Sequence, residues 1–242
     1  MTTKSEPERD SVPSAEFEDA ESYAPSEGGE LAPSDQVEER LAELTAGWFE
    51  VTPGAGKRAW PPPQGEWTLE DWRRLTGGCW RYEVIDGVLY MSPPPELCHQ
   101  VVLTALAARM WLHARQNQLG QVLLSPCSVL LPTQPVPIQP DLFFVRSERV
   151  EMIAEAQAEG VPDLVVEILS SSDAFYSRRE KFALYQEAGV AEYWIVDPDL
   201  ETVQVFVLGD GGYSSLGWWG VGEAALSQVL TGFVLPLADL FV

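Results

Sequence analysis

The chain has 242 residues, with 37 acidic and 15 basic side chains and a formal net charge of −22. Because 45% of the residues are hydrophobic and 10% aromatic, the chain can bury a core, which excludes global disorder and a low-complexity chain. Without an apolar run of about 18 residues or an apolar N-terminal stretch, we expect neither a membrane span nor a secretory signal. The three cysteines form no CxxC pair, which favours free thiols and a cytoplasmic location.

The acidic charge is concentrated toward the N-terminus. Residues 1–40 contain 12 acidic and 3 basic residues, several Pro, Ser and Gly, and only isolated large apolar side chains. Such a segment cannot bury enough surface to offset its ordering entropy, so we predict a disordered acidic tail and linker over residues 1–60. Within it, residues 36–50 could form a short helix. The folded domain is expected over residues 66–242.

The domain begins with a predicted helix and a predicted hairpin. Thr68 can cap a short helix that continues to about Leu75. The Asp86-Gly87 pair is a strong signal for a type I′ turn, and strand-like segments lie on both sides of it, at residues 81–85 and 88–91. We therefore expect a two-stranded hairpin here.

Helices and strands alternate along the rest of the domain. The expected elements are a helix over 97–117, strands over 121–131 and 141–145, a loose helix over 147–159, a strand over 164–169, a helix over 176–188, and strands over 193–196 and 202–208. The run from 164 to 169 is β-branched and apolar, which is typical of a buried central strand. The predicted fold class is α/β, with a mixed β-sheet flanked by helices.

Two Pro-Asp pairs, at Asp141 and Asp163, compete for one role beside Glu167. Asp163 and Glu167 lie four residues apart on one strand, so their Cα atoms are ~13 Å apart, too far for short carboxylates to share one metal ion comfortably. Asp141 begins a different strand, and neighbouring strands lie only ~4.8 Å apart. Asp141 and Glu167 can therefore converge on one divalent ion, and Asp163 is better interpreted as a strand-entry residue.

Glu167 and Lys181 are the strongest candidates for chemistry. A carboxylate inside the apolar run Leu-Val-Val-Glu-Ile-Leu needs a metal ion, a cation or a raised pKa, because burying it unpaired is costly. Lys181 is the only lysine of residues 66–242, which contain nine arginines. Since lysine, unlike arginine, can be tuned to give up a proton, a retained lysine suits acid–base chemistry or stabilisation of a transition state. The alternative is an ordinary solvated lysine on a helix.

These residues form part of an ordered pattern that resembles a known family. The matching segments are Tyr82-Glu83-Val-Ile-Asp86-Gly87, the Pro-rich turn before His99, Pro140-Asp141-Leu, Pro162-Asp163-Leu-Val-Val-Glu167-Ile-Leu169-Ser170, Lys181 with Tyr185 and Gly189, and Glu192-Tyr193-Trp194-Ile195-Val196-Asp197-Pro198. In this order they resemble the Uma family of restriction endonucleases, within the PD-(D/E)XK nuclease superfamily.

The resemblance implies a restriction-endonuclease-like fold and a metal site formed by Asp141 and Glu167. Superfamily members usually place a lysine two residues after the acid, a position that is Leu169 here. The resemblance implies that Lys181, on the next helix, supplies the lysine instead.

The implied mechanism is metal-dependent hydrolysis of a phosphodiester bond. Mg²⁺, or alternatively Mn²⁺, held by Asp141 and Glu167 would polarise the phosphate and lower the pKa of a bound water. Lys181 would orient that water or stabilise the extra negative charge. Glu83 is a further candidate ligand of the metal or water, or else a strand-edge carboxylate. His99 is a candidate substrate contact, although a structural histidine is the commoner case near a helix start.

Three functions remain open from the sequence. The first is a metal-dependent endonuclease with DNA as its substrate, for which a homodimer would place one site on each strand. The second is a catalytically weak or inactive nuclease-fold module for binding or assembly, which the excess of 23 acidic over 10 basic residues in 61–242 favours. The third is a metal-dependent hydrolase of a small phosphorylated substrate.

Overall fold

The computed structural model describes residues 60–75, 80–92, 94–170 and 175–241, with the side chains of residues 175–178 excepted. The predicted disordered tail and linker, residues 1–60, lies outside the described residues apart from Trp60. No helix within these described ranges is long and apolar enough to cross a membrane.

The described elements follow the predicted alternation of helices and strands. The α-helices are α1 (Leu69–Trp72), α2 (Leu97–Gln116) and α3 (Phe175–Ala188). The strands are β1 (Arg81–Ile85), β2 (Val88–Ser92), β3 (Gly120–Leu124), β4 (Val129–Leu130), β5 (Leu142–Arg146), β6 (Ala158–Glu159), β7 (Leu164–Ile168), β8 (Glu192–Asp197), β9 (Thr202–Gly209), β10 (Gly212–Gly220), β11 (Ala224–Leu226) and β12 (Val234–Pro236). Short 3-10 helices span Ser147–Met152 and Leu237–Asp239.

A six-stranded mixed sheet forms the centre of the fold, in the order β10-β9-β8-β7-β5-β3. The pair β7 and β8 is parallel and is connected through α3, whereas the other neighbouring strands are antiparallel. All residues of β7 are buried, as expected for a central strand. The predicted α/β class with a mixed sheet is confirmed.

Alternation along β7 directs side chains to two different cores. Leu164, Val166 and Ile168 join the core that contains the buried face of α2. Val165 joins the core on the other face of the sheet, together with residues of α3. Because successive side chains on a strand point to opposite faces, Glu167 lies on the α3 side.

The β1–β2 hairpin has a type I′ turn, as predicted. Asp86 and Gly87 both have positive φ, at 51° and 77°. A Cβ on Gly87 would come within 2.4 Å of the Gly65 carbonyl oxygen, so a side chain there would force the backbone apart. Tyr82 packs in a small core on one side of the hairpin. Glu83, the next residue, therefore faces the opposite side.

Three predicted elements differ in extent from the observed ones. The first helix ends at Trp72, after one turn closed by a capping box in which Thr68 and Asp71 bind each other's backbone N–H groups. The predicted strand over 121–131 is interrupted at Pro126, which cannot donate a ladder hydrogen bond, and β4 pairs with β6 outside the main sheet. Of the predicted loose helix over 147–159, only the 3-10 helix forms.

Candidate metal and catalytic site

Asp141 and Glu167 meet where β5 begins and β7 ends. Leu142 lies opposite Val166 in this antiparallel pair, so Asp141, one residue earlier, lies across from Glu167. The N–H of Ile168 donates to Asp141 Oδ2 over 2.8 Å. The register of the sheet thus brings together the two carboxylates that strand spacing selected as a metal pair.

Lys181 reaches this pair from α3. Its Nζ lies 2.9 Å from Glu167 Oε1 and 3.0 Å from Glu83 Oε2, and the residue is only 5% exposed. One helical turn later, the Tyr185 hydroxyl donates to the same Glu167 oxygen over 2.6 Å. The alternative of a solvated helix lysine does not hold, because the ammonium group is buried among carboxylates.

The hairpin contributes Glu83 and Arg81 from one face of β1. Glu83 Oε1 accepts a hydrogen bond from the Gln139 N–H over 2.9 Å. Arg81 Nη1 lies 2.8 Å from Asp141 Oδ1, and Arg81 Nε lies 3.7 Å from Glu83 Oε2. Residues i and i+2 of a strand share one face, so Arg81 links two of the carboxylates.

His99 contacts Asp141 from the first turn of α2. Its Nε2 lies 3.1 Å from Asp141 Oδ2, and the residue is 4% exposed. Its Nδ1 is buried without a hydrogen-bond partner in the described part of the chain, so Nε2 is the ring nitrogen that donates to Asp141. The observed contact positions a carboxylate, while the substrate-contact role of His99 stays a prediction.

Asp163 lies at the opposite end of β7. It accepts hydrogen bonds from the Arg146 N–H and from Arg149 Nη1, each over 2.9 Å. Both contacts tie the strand entry to the segment that follows β5. The structure thus places Asp163 apart from Asp141 and Glu167, in the position of a strand-entry residue.

Comparison with known proteins identifies the family of this chain. The sequence profile of the Uma2 family, described as "Putative restriction endonuclease", matches residues 69–238, a range that includes all the site residues named above. The chain belongs to this family. The crystal structure of a "putative nuclease belonging to DUF820" from Anabaena variabilis is similar in fold, with a TM-score of 0.61 and 18% sequence identity, over 72% of this chain and 97% of that one. No curated protein matches the chain significantly.

In this member of the Uma2 family, three carboxylates share two permanent cations within the described part of the site. Glu83, Asp141 and Glu167 are all buried, and the cations that contact them are Arg81 and Lys181. When all five groups are ionised, one carboxylate lacks a compensating positive charge. An uncompensated buried charge costs several kcal/mol, so the site favours either a bound proton or a further cation.

The pKa values indicate which of the three carboxylates is least compensated by the two cations. Burial raises the pKa of Asp141, but the hydrogen bond from His99 and the nearby arginine outweigh it and lower that pKa to about 2. Burial also raises the pKa of Glu83, but the charges of Lys181 and Arg81 outweigh burial and lower that pKa below its ordinary value. For Glu167, burial prevails over the attraction of Lys181 and raises the pKa to about 7, with Asp141 adding to the rise.

Lys181 remains protonated in this environment. Burial lowers its pKa, but the charges of Glu167 and Glu83 outweigh burial and raise it above the ordinary lysine value. The lysine is therefore a fixed positive charge in the free protein, not a neutral base.

A divalent ion fits the donor set around Glu167. Within the described part of the chain, both hydrogen bonds to Glu167 end on Oε1, which leaves Oε2 available to a ligand. Mg²⁺ is usually held by one or two carboxylates, with water and substrate phosphates as its other ligands. No group of three or more His, Cys, Asp or Glu side chains among the described residues is arranged to hold an ion. Asp141 and Glu167 would therefore bind it together with water or substrate.

Sequence reasoning assigned no role to Arg81 or Tyr185 in this site. Both carry a spacing signal, since Arg81 lies two residues before Glu83 on a strand and Tyr185 lies four residues after Lys181 on a helix. These spacings place each residue on the same face as a candidate residue. Their partners, Asp141 and Glu167, are distant in sequence, so spacing alone does not reveal the contacts.

Proposed function

We propose that this chain is a divalent-metal-dependent nuclease that hydrolyses phosphodiester bonds of DNA. The main supporting observation is the burial of Lys181 between Glu167 and Glu83, at the point where Asp141 meets Glu167. Membership of a family described as restriction endonucleases supports the same reaction class and favours DNA over a small phosphorylated compound.

Asp141 and Glu167 would hold the metal ion, with Mg²⁺ expected and Mn²⁺ as an alternative. When bound, a divalent ion supplies Lewis-acid polarisation of the phosphate and lowers the pKa of a coordinated water. The free site has one negative charge in excess when all five charged side chains are ionised. With a divalent ion its net charge becomes positive by one unit, which is complementary to a single phosphodiester group.

The protein's own groups then position charge around the reacting phosphate. The Lys181 ammonium can orient the attacking water and stabilise the additional negative charge of the transition state. Glu83 holds the ammonium in place, and Tyr185 holds Glu167 Oε1. Asp141 is fixed by His99 and by the Ile168 N–H, so its orientation is set before substrate arrives.

The acidity of the domain predicts the way in which DNA is bound. With 23 acidic and 10 basic residues over 61–242, a broad basic face cannot supply most of the affinity. Binding is therefore expected to be weak, local and strongly dependent on the metal ion. A homodimer, which would present a second site to the second strand, stays a prediction.

A cleavage assay with site variants tests this proposal. Supercoiled plasmid, single-stranded DNA and RNA would each be incubated with the full chain in Mg²⁺, Mn²⁺ or EDTA. Metal-dependent cleavage of DNA is expected for the wild type and to be lost in Glu167→Gln and Lys181→Met. Asp163→Asn is the matched control, since it changes a buried carboxylate outside the site and should keep the activity.

The other outcomes separate the remaining functions. Equal cleavage by the wild type and both site variants would exclude the assigned site. Hydrolysis of a small phosphodiester, such as bis(4-nitrophenyl) phosphate, without cleavage of any nucleic acid would favour a hydrolase of small substrates. A folded wild type that binds Mg²⁺ but cleaves nothing would favour a binding or assembly module.

A further inference from the structure

One long face of α2 is apolar and exposed, and it packs against no described element. Its exposed apolar residues recur at intervals that place them on one side of the helix: Leu97 (85% exposed), Val101 (53%), Ala108, Trp111 (49%) and Leu112 (49%). They belong to none of the three hydrophobic cores, in contrast to Val102, Leu106 and Met110 on the buried face. We call this set the α2 outer face. Thr104 lies on the same face, with its hydroxyl donating to the Gln100 carbonyl over 2.7 Å. A mainly apolar exposed surface of this kind is typical of an interaction site.

The charge of α2 is opposite to that of the chain as a whole. The helix carries Arg109 and Arg115 and has no acidic residue, although the chain has a net charge of −22. The Arg115 guanidinium lies over the Trp111 ring, 5.3 Å from its centroid, so positive charge borders the α2 outer face. The chemistry of this surface fits a partner that is both apolar and acidic.

Residues 36–50 of the same chain have this chemistry. Val37, Leu41, Leu44 and Trp48 follow one another at intervals of four, three and four residues, the spacing of one helix face. The same segment contains four glutamates, all outside that face, and a single basic residue. A helix formed by this segment would present an apolar stripe bordered by negative charge.

The lengths of the two surfaces agree. Val37 and Trp48 are eleven residues apart, as are Val101 and Leu112 on α2. At about 1.5 Å per residue, each stripe would be ~16 Å long in a helix. The apolar residues of the segment can therefore cover most of the α2 outer face.

The connection between the segment and the domain is long enough for this contact. The described chain begins at Trp60, which packs against Trp67 with ring centroids 5.6 Å apart, beside the β1–β2 hairpin. The hairpin contacts Asp141 through Arg81, and Asp141 contacts His99 in the first turn of α2. Residues 51–59 can span ~30 Å when extended, which allows the segment to reach this end of α2.

We propose that residues 36–50 bind the α2 outer face as an amphipathic helix. Charge favours this occupant over a second copy of α2, because the glutamates of residues 36–50 can pair with Arg115 whereas α2 offers it no acidic residue. The other arginine of the helix, Arg109, already pairs with Asp239 over 3.4 Å. The proposal concerns a surface outside the catalytic residues and does not depend on the proposed nuclease activity.

Hydrogen exchange of the full chain, followed by mass spectrometry, tests the proposal. In the wild type, amides of residues 36–50 are expected to exchange at least ~10-fold more slowly than those of residues 1–34. The double variant Val101→Glu/Trp111→Glu, which adds negative charge to the α2 outer face, should raise exchange in 36–50 to the rate of residues 1–34. The matched double variant Leu200→Glu/Val221→Glu makes the same apolar-to-acidic change at exposed positions outside α2 and should leave the protection intact.

The opposing results are equally distinct. Absence of protection in residues 36–50 of the wild type would overturn the proposal, as would protection that persists in Val101→Glu/Trp111→Glu. Sedimentation equilibrium of the same samples gives a further check. A dimer that this variant dissociates, with exchange in 36–50 unchanged, would assign the α2 outer face to a second copy and overturn the proposal. Leu41→Glu/Leu44→Glu should reproduce the loss of protection from the other side of the contact.

Discussion

Two buried glutamates on neighbouring parallel strands are held in opposite ways. Glu192, at the start of β8, has no exposed surface and accepts four hydrogen bonds from neutral donors: Trp194 Nε1, Ser227 Oγ, and the N–H groups of Gln228 and Val229. Glu167, near the end of β7, is 6% exposed and, among the described residues, receives Lys181 and Tyr185 on only one of its oxygens.

The difference separates a carboxylate that holds the fold together from the one that we propose as a metal ligand. Glu192 holds the C-terminal segment against the sheet with two hydrogen bonds on each oxygen, so no lone pair remains for a ligand. Asp141 Oδ1, by contrast, accepts from Arg81 alone within the described residues. Glu167 shares its cation with Glu83 and keeps Oε2 available. Burial alone thus does not mark a candidate catalytic carboxylate, whereas incomplete compensation beside a cation favours one.

The largest expected difference between the two glutamates is in the rate of DNA cleavage. Glu167→Gln should lower the single-turnover rate of DNA cleavage by about 10³-fold or more, because an amide cannot balance the charge of a metal ion as a carboxylate does. Glu192→Gln should keep the rate within about two-fold of the wild type at a temperature where it is folded. Similar losses in both variants would indicate that the rate reports folding and not the site.

For the free energy of unfolding, the order should be reversed, with the larger effect from the substitution of Glu192. Glu192→Gln places an amide NH₂ among backbone N–H donors and should lower the free energy of unfolding by about 3 kcal/mol. Glu167→Gln removes the uncompensated carboxylate and should leave the metal-free protein at least as stable as the wild type near pH 7. Urea denaturation in EDTA measures both. A larger destabilisation by Glu167→Gln would contradict the charge count.

The Glu167 side of this contrast could be predicted from the sequence. The position of Glu167 inside an apolar run and the scarcity of lysine selected Glu167 and Lys181, and strand spacing selected Asp141 over Asp163. Local patterns also predicted the type I′ hairpin and the central strand β7, because turn chemistry and hydrophobic periodicity act over short distances.

The remaining contacts depend on long-range packing that spacing does not encode. Arg81 reaches Asp141 across 60 residues of sequence, and His99 reaches it across 42. Three of the four neutral donors around Glu192 come from a turn 35 to 37 residues later. Pro126 is itself a local sequence signal for the break in the predicted strand. No local sequence pattern indicates that β4 pairs with β6 outside the main sheet.

The raised pKa of Glu167 should be visible in the pH dependence of the free energy of unfolding. Its pKa is raised in the folded state, mainly by burial, to about 7 from an ordinary value of 4.5. The unfolded chain therefore ionises first, and stability due to this group is complete below pH 4.5 and is lost as the pH rises toward 7. Relative to Glu167→Gln, the metal-free wild type should lose about 3 kcal/mol over that window. Urea denaturation at several pH values measures the difference, and a constant difference would contradict the raised pKa.

The smallest expected effect concerns the hydroxyl that fixes Glu167. Tyr185→Phe removes the 2.6 Å hydrogen bond to Oε1 and leaves the ring packed, so the free energy of unfolding should fall by only about 1 kcal/mol. Tyr213→Phe is the matched control, because its hydroxyl donates to the Val190 carbonyl in the same core without contacting the site.

Both variants should show a similar loss of stability, but only Tyr185→Phe should also weaken Mg²⁺ binding, by about 10-fold, in calorimetric titration. This result would show that the hydroxyl orients Glu167 for its ligand in addition to stabilising the fold. Equal Mg²⁺ affinity in the two variants would instead make Tyr185 as structural as the donors that surround Glu192.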